Sequence, residues 1–531
     1  MGVLGTVSFT WASCLLTLVG SAVAYVVLYA LYSVTLHPLA KYPGPFIAKF
    51  TNWRDVIVSA KGIKHLDLHQ LHQKYGPVVR YGPDAVSFDH PDALKPIYGH
   101  KVNTKKSDFY LSFPARPGAV STHTAIDPKT HARKRRVMSH AFSDAALRGM
   151  EEYVLNHLRY WMQNMAGTST KEWTAPKKVS DWTQWLAFDV MGDLCFGKSF
   201  SMLKGDVPET RRATHLLAQA AKRHNTVGPM PWLHQTKLDR IIFPQMNKDR
   251  DEYMAFSGRQ VGERTKSDIF ASKRKDFFYY LLNSKDPETG EGFHQRELWG
   301  ESNTLIIAGS DTTATTIAST IFYLTRNPHA LETVTKEIRN KFDNVEAIKA
   351  GPELNSCSYL RACIDEAMRM TPPVGGALPR VVLNGGIEVL GDKLPAGVIV
   401  GCPIYALHHN VNFVDEPFTY RPERWDVDAQ GSSEASVKAL HSVFNPFSVG
   451  PRACIGKPMA YMELMLSLGR LIWTYDMQKA PGELGAVGEG RPGMGEGRER
   501  AGEFQLEDIF ASHVEGPYTQ FRMRQDIPTS A

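Results

Sequence analysis

Cys454 stands in a segment whose residue types could support metal binding or nucleophilic chemistry. The neighbours that matter are Phe447, Gly450, Arg452 and Gly456. Residues 458–473 have the apolar spacing of a buried helix. The cysteine is therefore expected at a helix N-terminus, where the dipole and free N–H groups favour a thiolate. The glycines allow the backbone to approach a flat or bulky group closely. A buried core cysteine is the simpler alternative, and a nucleophile would need a histidine partner that the sequence does not identify.

A second candidate lies in residues 295–326, which are predicted to form one long helix that ends at Asn327 and Pro328. Positions 304 to 320 hold six threonines, which are mediocre helix formers, so burial must stabilise this helix. Gly309 would leave space beside the backbone, and Asp311 with Thr312 forms an acid–alcohol pair suited to proton delivery. The alternative is a core helix whose threonines bond back to their own turn.

Charged residues also recur at helical spacing. Glu366 and Arg369 are three residues apart, and His131 and Arg135 are four apart, so each pair shares one helix face. Taken alone these pairs are weak signals, because a solvated surface is their usual setting.

Together these motifs resemble the cytochrome P-450 family, the haem-thiolate monooxygenases. The pattern F-x-x-G-x-R-x-C-x-G over 447–456 is similar to the family's haem-ligand loop, and residues 308–313 resemble its oxygen-binding groove. Residues 366–369 match its E-x-x-R and residues 422–425 its P-E-R-W. The resemblance extends from the N-terminal apolar segment to about Arg524. Further segments resemble fungal membrane-bound members, which include benzoate para-hydroxylases and oxygenases of secondary-metabolite pathways. These segments are 405–410 and 502–504.

The resemblance implies roles for individual residues. Cys454 would ligate the iron of haem b, and Asp311 with Thr312 would relay protons. Glu366, Arg369 and Arg424 would form a buried charge triad of structural importance. The remaining cofactor-binding positions that it implies are His131, Arg135, Arg380, Phe447 and Arg452. Position 131 is more commonly tryptophan in the family.

The implied reaction consumes dioxygen, two protons and two electrons from NADPH, delivered by NADPH–cytochrome P-450 reductase, and oxidises a hydrophobic small molecule. Substrate-facing walls are implied at residues 104–124, 302–312, 374–378 and 510–516. Residues 374–377 are small and apolar, which would leave room for a bulky substrate. A basic face would dock the reductase. Its residues are Lys129, Arg133, Lys134, Arg136 and Lys457.

Three other functions are compatible with a haem-thiolate protein: an isomerase or dehydratase that needs no dioxygen, a non-catalytic haem carrier or sensor, and a catabolic hydroxylase of aromatic acids. The first two have no need of the Asp311–Thr312 pair, which therefore favours the monooxygenase.

The N-terminal region reads as a membrane anchor. No Asp, Glu, Lys or Arg precedes Lys41, and residues 15–36 are long and apolar enough to cross a bilayer. A cleaved signal peptide would have a basic start and a shorter apolar core. The positive charges follow the segment, which predicts a single-pass protein of the endoplasmic reticulum membrane with its catalytic domain in the cytosol. Pro43-Gly44-Pro45 should end the membrane helix.

Composition sets the remaining expectations. The net charge of +6 over 531 residues is too dilute to indicate nucleic-acid binding. Six cysteines without a C-x-x-C pair indicate a reducing compartment. We expect a mainly α protein with small β-sheets, the cytochrome P-450 fold, with an anchor over residues 1–40 and one catalytic domain over 41–531. The glycine-rich residues 481–502 are predicted to form a flexible surface loop.

Overall fold

A computed structural model describes residues 11–113, 118–205, 208–266 and 274–525 of the chain. The α-helices, in chain order, are α1 Trp11–Thr35, α2 Trp53–Ala60, α3 Lys64–Tyr75, α4 Leu94–Tyr98, α5 Pro128–Ser139, α6 Asp144–Ala166, α7 Val179–Phe196, α8 Pro208–Val227, α9 Pro231–Gln235, α10 Asp239–Ile242, α11 Pro244–Lys266, α12 Phe277–Asn283, α13 Gln295–Leu324, α14 Pro328–Lys341, α15 Pro352–Asn355, α16 Ser358–Met370, α17 Ile404–His408, α18 Glu434–Val443, α19 Lys457–Thr474 and α20 Gly482–Gly485. The β-strands are β1 Val78–Gly82, β2 Ala85–Phe88, β3 Thr104–Lys106, β4 Lys177–Lys178, β5 Arg380–Val382, β6 Ile387–Val389, β7 Asp392–Leu394, β8 Ile399–Gly401, β9 Tyr475–Lys479, β10 Leu506–Ile509, β11 Ala511–Val514 and β12 Tyr518–Met523.

The mainly α architecture with small sheets is confirmed. The predicted long helix is α13, and it ends just before Asn327 and Pro328 because proline cannot continue the backbone ladder. The helix predicted after Cys454 is α19. The sheets are small: five strands in the order β1-β2-β8-β5-β3, three in the order β4-β12-β9, and the pairs β6–β7 and β10–β11.

Helix α13 runs through the largest apolar core, where its residues pack among those of α6, α7, α16 and α19. Gly309 makes this packing possible, because a Cβ there would lie 2.6 Å from the Met191 Sδ of α7. The expectation that Gly309 opens space beside the helix is therefore wrong. The glycine lets two helices approach closely, and Met191 fills the space.

Helix α1 is long and apolar enough to span a membrane, and its most apolar stretch is not buried in the rest of the structure. The chain just after it is tied to the body. Leu39 is buried in the second apolar cluster, and the buried Arg80 guanidinium donates to the Ser33 carbonyl at 2.8 Å. Helix α1 thus joins the body through fixed contacts.

Residues 481–502 lie at the surface, as predicted, but they are held by specific contacts. Glu489 pairs with Arg326 at 2.7 Å and with Lys479 at 2.6 Å. The Gln70 amide donates to the Glu496 carbonyl at 3.0 Å. These contacts restrain a segment that is predicted to be flexible, because composition does not show which distant side chains will bind a glycine-rich segment.

The predicted charge triad forms at the end of α16. Both carboxylate oxygens of Glu366 accept from Arg369 at 2.9 Å, and Arg424 donates to Glu366 at 2.9 Å. Trp425 adds an indole N–H at 3.0 Å. Burial opposes ionisation of Glu366, but Arg369 and Arg424 together hold its pKa below the ordinary value. The triad joins α16 to the segment after α17, because Arg369 also donates to the Pro417 carbonyl at 2.7 Å.

We expect Arg369→Ala to destabilise the protein by about 3–5 kcal/mol, because it leaves Glu366 charged and buried without its principal partner. Chemical denaturation followed by circular dichroism measures the loss. Lys336→Ala is the matched control, since it removes an exposed pair with Glu332 that solvent screens and that contributes little to stability. Equal losses in the two variants would contradict the assignment of the triad as a structural centre.

Candidate functional site

The Cys454 loop is built by backbone constraints. The Cys454 N–H donates to the Phe447 carbonyl at 2.8 Å, closing the loop ahead of α19. Gly450 has φ +74, and a Cβ there would lie 2.0 Å from the Tyr98 carbonyl oxygen, so only glycine fits. The Cys454 side chain retains an exposed surface, while Phe447 packs on Tyr461 with ring centroids 5.2 Å apart. The loop presents a thiol on a closely packed backbone.

The thiol is surrounded by enough protein for burial to raise the pKa of Cys454, although Gly456 and Lys457 N–H groups and the Arg135 guanidinium lower it. The N–H groups at the helix N-terminus thus favour the thiolate as expected, but burial outweighs them. A bound metal ion would favour the thiolate form of Cys454, because coordination deprotonates a thiol.

Five basic side chains gather near this loop. They are Lys106 of β3, His131 and Arg135 of α5, Arg380 of β5 and Arg452. Burial first, and then the nearby Arg452, Lys106, Arg135 and Arg380, lower the pKa of His131 to about 3, so its imidazole is neutral near physiological pH. Among the described residues none of the five has a carboxylate ion-pair partner, and the cluster therefore suits an anionic ligand.

Strand register forces two of these charges together. Lys106 and Arg380 face each other directly in the antiparallel pair β3–β5, and both are buried. Like charges directly opposite destabilise a sheet. The remaining bonds do not compensate: Lys106 donates to the His123 carbonyl, and the Arg380 Nη1 has no hydrogen-bond partner. Arg135 and Arg452 instead donate to backbone carbonyls, those of Ala453 and of Ala125 and Ile126.

These residues fit a haem. A thiol exposed within a glycine-bearing loop suits an iron ligand, and an unpartnered buried guanidinium within a cation cluster suits the carboxylates that a haem carries. The sequence motifs predict each of these positions except Lys106. The sequence has lysines at both 105 and 106, but only the pairing of β3 with β5 shows that Lys106 is the buried one.

The predicted acid–alcohol pair is split between two faces of α13. The Thr312 hydroxyl donates to the Ala308 carbonyl at 2.7 Å, and Ala308 itself is exposed in the middle of an otherwise buried helix. Asp311 points elsewhere: its Oδ1 accepts from the Gln184 amide at 3.4 Å and its Oδ2 has no partner. Burial raises the pKa of Asp311 to about 7. Successive residues are about 100° apart on a helix, which accounts for the split.

Back-bonded threonines, the alternative for this helix, are also present. Thr316 and Thr320 donate to carbonyls one turn earlier at 2.8 and 2.7 Å. Thr313 departs from the pattern, since it donates to Glu463 at 3.3 Å.

Two buried carboxyl groups on or beside α13 escaped the sequence analysis. Glu463 of α19 accepts only from Thr313, and burial raises its pKa to about 8. Glu301 accepts from the Thr122 N–H at 2.7 Å and hydroxyl at 2.9 Å, and burial raises its pKa to about 7. Neither residue belongs to one of the motifs identified in the sequence, and only the packing of their helices shows that they are buried.

The prediction of a basic docking face is largely wrong, because three of its five residues pair with acidic side chains. Lys134 is buried and pairs with Glu297 at 2.7 Å and Glu301 at 3.5 Å. Arg133 also pairs with Glu297. Arg136 pairs with Asp286 at 2.6 Å and with Glu288 at 2.9 Å. The remaining two residues, Lys129 and Lys457, are exposed. A run of like charges does not show which members face acidic side chains of another helix.

The segments expected to face substrate do adjoin one another. The Phe510 ring lies 4.9 Å from that of Phe113 and 5.5 Å from that of His123. The Ser512 N–H donates to the carbonyl of Pro373, directly before the third segment, and its carbonyl accepts from Thr315, three residues after the second, both at 2.8 Å. Residues 114–117 of the first segment lie outside the described residues.

The glycines at 375 and 376 do not leave the open space that was expected. A Cβ at Gly375 would lie 3.1 Å from the His65 Cβ, and one at Gly376 would lie 3.1 Å from an Asp508 carboxylate oxygen. Neighbouring side chains occupy that volume, and the small residues allow close packing.

The comparisons with known proteins find relatives along almost the whole chain. The cytochrome P-450 family model matches residues 42–485. The cytochrome P-450 monooxygenase AKT7 of Alternaria alternata is 37% identical over 503 residues, which are 94% of this chain and 95% of the relative. The monooxygenase apf7 of Gibberella fujikuroi is 36% identical over 94% of this chain and 97% of its own. The monooxygenase poxM of Penicillium oxalicum is 38% identical over 93% and 91%.

We expect Lys106→Met to have opposite effects on stability and on cofactor retention. Removing one of several buried like charges should raise the thermal midpoint of the haem-free protein. It should also weaken haem binding by about 1.5–3 kcal/mol, the contribution of a hydrogen bond to a charged group, which is about tenfold or more. Thermal denaturation and haem titration measure the two effects. Lys105→Met, at the preceding residue of β3, is the matched control. Identical behaviour of the two variants would refute the anion-binding role of Lys106.

Proposed function

Since the chain belongs to the cytochrome P-450 family of monooxygenases, we propose that it uses NADPH and dioxygen to oxidise a hydrophobic small molecule, in fungal secondary metabolism. The observation that carries this proposal is the exposed Cys454 thiol beside buried cations for which the described residues provide no carboxylate partner. The secondary-metabolite assignment rests on the fungal-type segments at 405–410 and 502–504 and on the fungal relatives.

In this proposal the loop and the cation cluster hold the cofactor. Cys454 ligates the iron, and the Phe447 ring packs against the Tyr461 ring beside the loop. The haem carboxylates neutralise the cluster formed by Lys106, His131, Arg135, Arg380 and Arg452. When bound, a thiolate-ligated haem supplies the activation and cleavage of dioxygen.

The side chains of α13 then supply protons. Thr312 lies on the face that Ala308 leaves exposed, where its hydroxyl can donate to or accept from a reacting group. Asp311 holds a transferable proton near neutral pH, because burial raises its pKa to about 7. Matching a donor's pKa to the working pH favours proton transfer. Reorientation of the Asp311 carboxyl would connect the two faces of the helix.

A hydrophobic substrate is supported by the aromatic wall that Phe109, Tyr110, Phe113 and Phe510 form. Aromatic faces provide large apolar contact area at little conformational cost. Helix α1 supports membrane attachment, and the positive charges that follow it support an endoplasmic-reticulum protein whose catalytic domain faces the cytosol. NADPH–cytochrome P-450 reductase is the proposed electron donor.

Cys454→Ser tests the proposal directly. The variant should lose the carbon monoxide spectrum of a thiolate-ligated haem and all NADPH-dependent product formation, because serine does not provide a thiolate. Expression with a reductase, followed by product analysis on a panel of fungal metabolite scaffolds, measures turnover. Cys357→Ser, at a buried free cysteine, controls for loss of a thiol as such. A thiolate-type spectrum in the Cys454 variant would overturn the ligand assignment.

Thr312→Ala should separate NADPH consumption from product formation. Without the hydroxyl, proton delivery to the reacting group is impaired. Hydrogen peroxide therefore replaces part of the product, while haem binding is unchanged. The ratio of product to NADPH consumed measures this effect. Thr316→Ala is the matched control, since Thr316 makes the same back-bond one turn later. Equal ratios in the two variants would contradict a role for Thr312.

Lys457→Glu should slow reduction by the reductase at low salt. Lys457 is exposed three residues after Cys454, and opposite charges speed encounter until salt screens them within about 8 Å. Stopped-flow reduction measures the rate, and dithionite reduction should be unchanged. Lys336→Glu, at another exposed lysine, is the control. If both variants are reduced at the wild-type rate, this face does not dock the reductase.

A further inference from the structure

A buried carboxyl group of α13 holds the chain that leads to α5, residues 119–126, which we call the 119–126 loop. Glu301 is fully buried in the middle of the protein. Its Oε1 accepts two hydrogen bonds from one residue of the loop, from the Thr122 N–H at 2.7 Å and from the Thr122 hydroxyl at 2.9 Å. Because a backbone and a side-chain donor meet at one oxygen, the carboxyl fixes both the place and the orientation of Thr122.

The residue before Glu301 allows this contact. A Cβ at Gly300 would lie 2.9 Å from the Ala119 carbonyl oxygen and 3.7 Å from the Ser121 N. The backbone of the loop therefore rests directly on the backbone of α13, where any larger side chain would displace it. Gly300 lets the loop approach, and Glu301 binds it there.

The loop transmits the placement of Thr122 to its next residue. The Ser121 N–H donates to the Thr124 hydroxyl at 2.8 Å, and the Thr124 N–H donates to the Ser121 hydroxyl at 3.2 Å. The Ala125 N–H donates to the Ser121 carbonyl at 2.9 Å. These bonds close a tight turn around Thr122 and His123. Since the turn is closed, His123 cannot move independently of Thr122.

His123 forms part of the aromatic wall. Its ring lies edge-on to three other rings, with centroid distances of 5.5 Å to Phe510, 5.6 Å to Phe113 and 5.7 Å to Tyr110. Edge-to-face pairs have a preferred geometry, so a shift of His123 changes the packing of its neighbours. The position of the loop therefore sets the shape of the wall.

Two members of the cation cluster also hold the loop. Lys106 and Arg452 donate to its backbone carbonyls. In the proposed function the haem carboxylates neutralise these two cations, so their bonds to the loop depend on the cofactor. Glu301 lies outside the cation cluster, and its contact with Thr122 does not depend on the cofactor.

We propose that Glu301 is a positioning residue for the aromatic wall, which binds Thr122, fixes the His123 ring and thereby determines which hydrophobic ligands the wall accepts. The inference rests on the proposed monooxygenase function, in which this wall faces the substrate. A fixed wall favours a ligand whose aromatic surface matches it, because binding then does not have to order the loop. A ligand that does not reach the wall gains nothing from Glu301.

The contact requires an acceptor oxygen at position 301 rather than a charge. Burial raises the pKa of Glu301 to about 7, and a protonated carboxyl still accepts through its carbonyl oxygen. Lys134 lies 3.5 Å from Glu301 but only 2.7 Å from Glu297, so a neutral residue at position 301 leaves the lysine its nearer partner. Glu301→Gln should therefore preserve the contact, whereas Glu301→Met, of similar length, should abolish it.

The test compares two iron ligands in the full-length haem-bound protein. Imidazole and 4-phenylimidazole both bind through a ring nitrogen, and only the second carries a phenyl ring that must fit the wall. The change in haem absorbance gives both dissociation constants. Glu301→Met should weaken 4-phenylimidazole binding by about tenfold, because the ligand must then order the loop. Imidazole binding should keep its wild-type constant, and Glu301→Gln should keep the wild-type ratio of the two constants.

Hydrogen–deuterium exchange gives a readout that needs no ligand. Peptides that cover the 119–126 loop should exchange faster in Glu301→Met than in the wild type, in the haem-free and in the haem-bound protein. Thr122→Val removes only the hydroxyl donor and nearly preserves the shape of the side chain. It should change the ratio of the constants in the same direction by a smaller factor, and it keeps the test open if Glu301→Met does not fold. Added to Glu301→Met, it should cause no further change, since both remove one contact.

Glu337→Met is the matched control. Glu337 likewise accepts from two donors, the N–H groups of Tyr359 and Leu360 at 2.9 and 2.8 Å, and none of these residues belongs to the wall. This variant should lower the thermal midpoint and leave the ratio of the two dissociation constants unchanged.

A wild-type ratio and wild-type exchange of the loop in folded Glu301→Met or Thr122→Val would overturn the inference. An equal change of the ratio in Glu337→Met would also overturn it, because general loosening of the fold would then account for the effect. Failure of the proposed function is a different result. It is seen in the wild-type protein, as the absence of the carbon monoxide spectrum of a thiolate-ligated haem.

Discussion

A charge buried in a protein needs an opposite charge, hydrogen bonds or a ligand, because its removal from water costs several kcal/mol. This chain meets the requirement in two ways. At the end of α16, the buried Arg369 and Arg424 form ion pairs with Glu366. Around the Cys454 loop, Lys106 and Arg380 face each other without a carboxylate. The first cluster stabilises the fold, and the second leaves a requirement that an anionic cofactor can meet.

The two clusters are linked through the chain that they share. Arg369 ends the helix that leads to β5, and β5 presents Arg380 to β3. The triad therefore holds the end of the helix from which the chain continues to β5, one of the strands that carry the cation cluster.

Helix α13 separates two environments. One face carries Ala308 and Thr312, which are accessible, and the other carries Asp311, which faces Gln184 and water-sized cavities. The close approach of α7 at Gly309 and Met191 holds the helix between these environments. The Asp311 carboxyl and the Thr312 hydroxyl are thereby kept on different faces of the same helix.

Local patterns in the sequence determined much of this protein. The Cys454 loop, the bounds of α13 and α19, the apolar α1 and the Glu366–Arg369 pair all follow from spacing, proline and glycine within a few residues. The tertiary structure decided the rest. The burial of Lys134 depends on Glu297 and Glu301 of another helix, and the choice of Lys106 over Lys105 depends on the register with β5. The filling of the space at Gly309 depends on Met191. The fate of a charge or a gap is set by its neighbours in space, and these lie tens to hundreds of residues away along the chain.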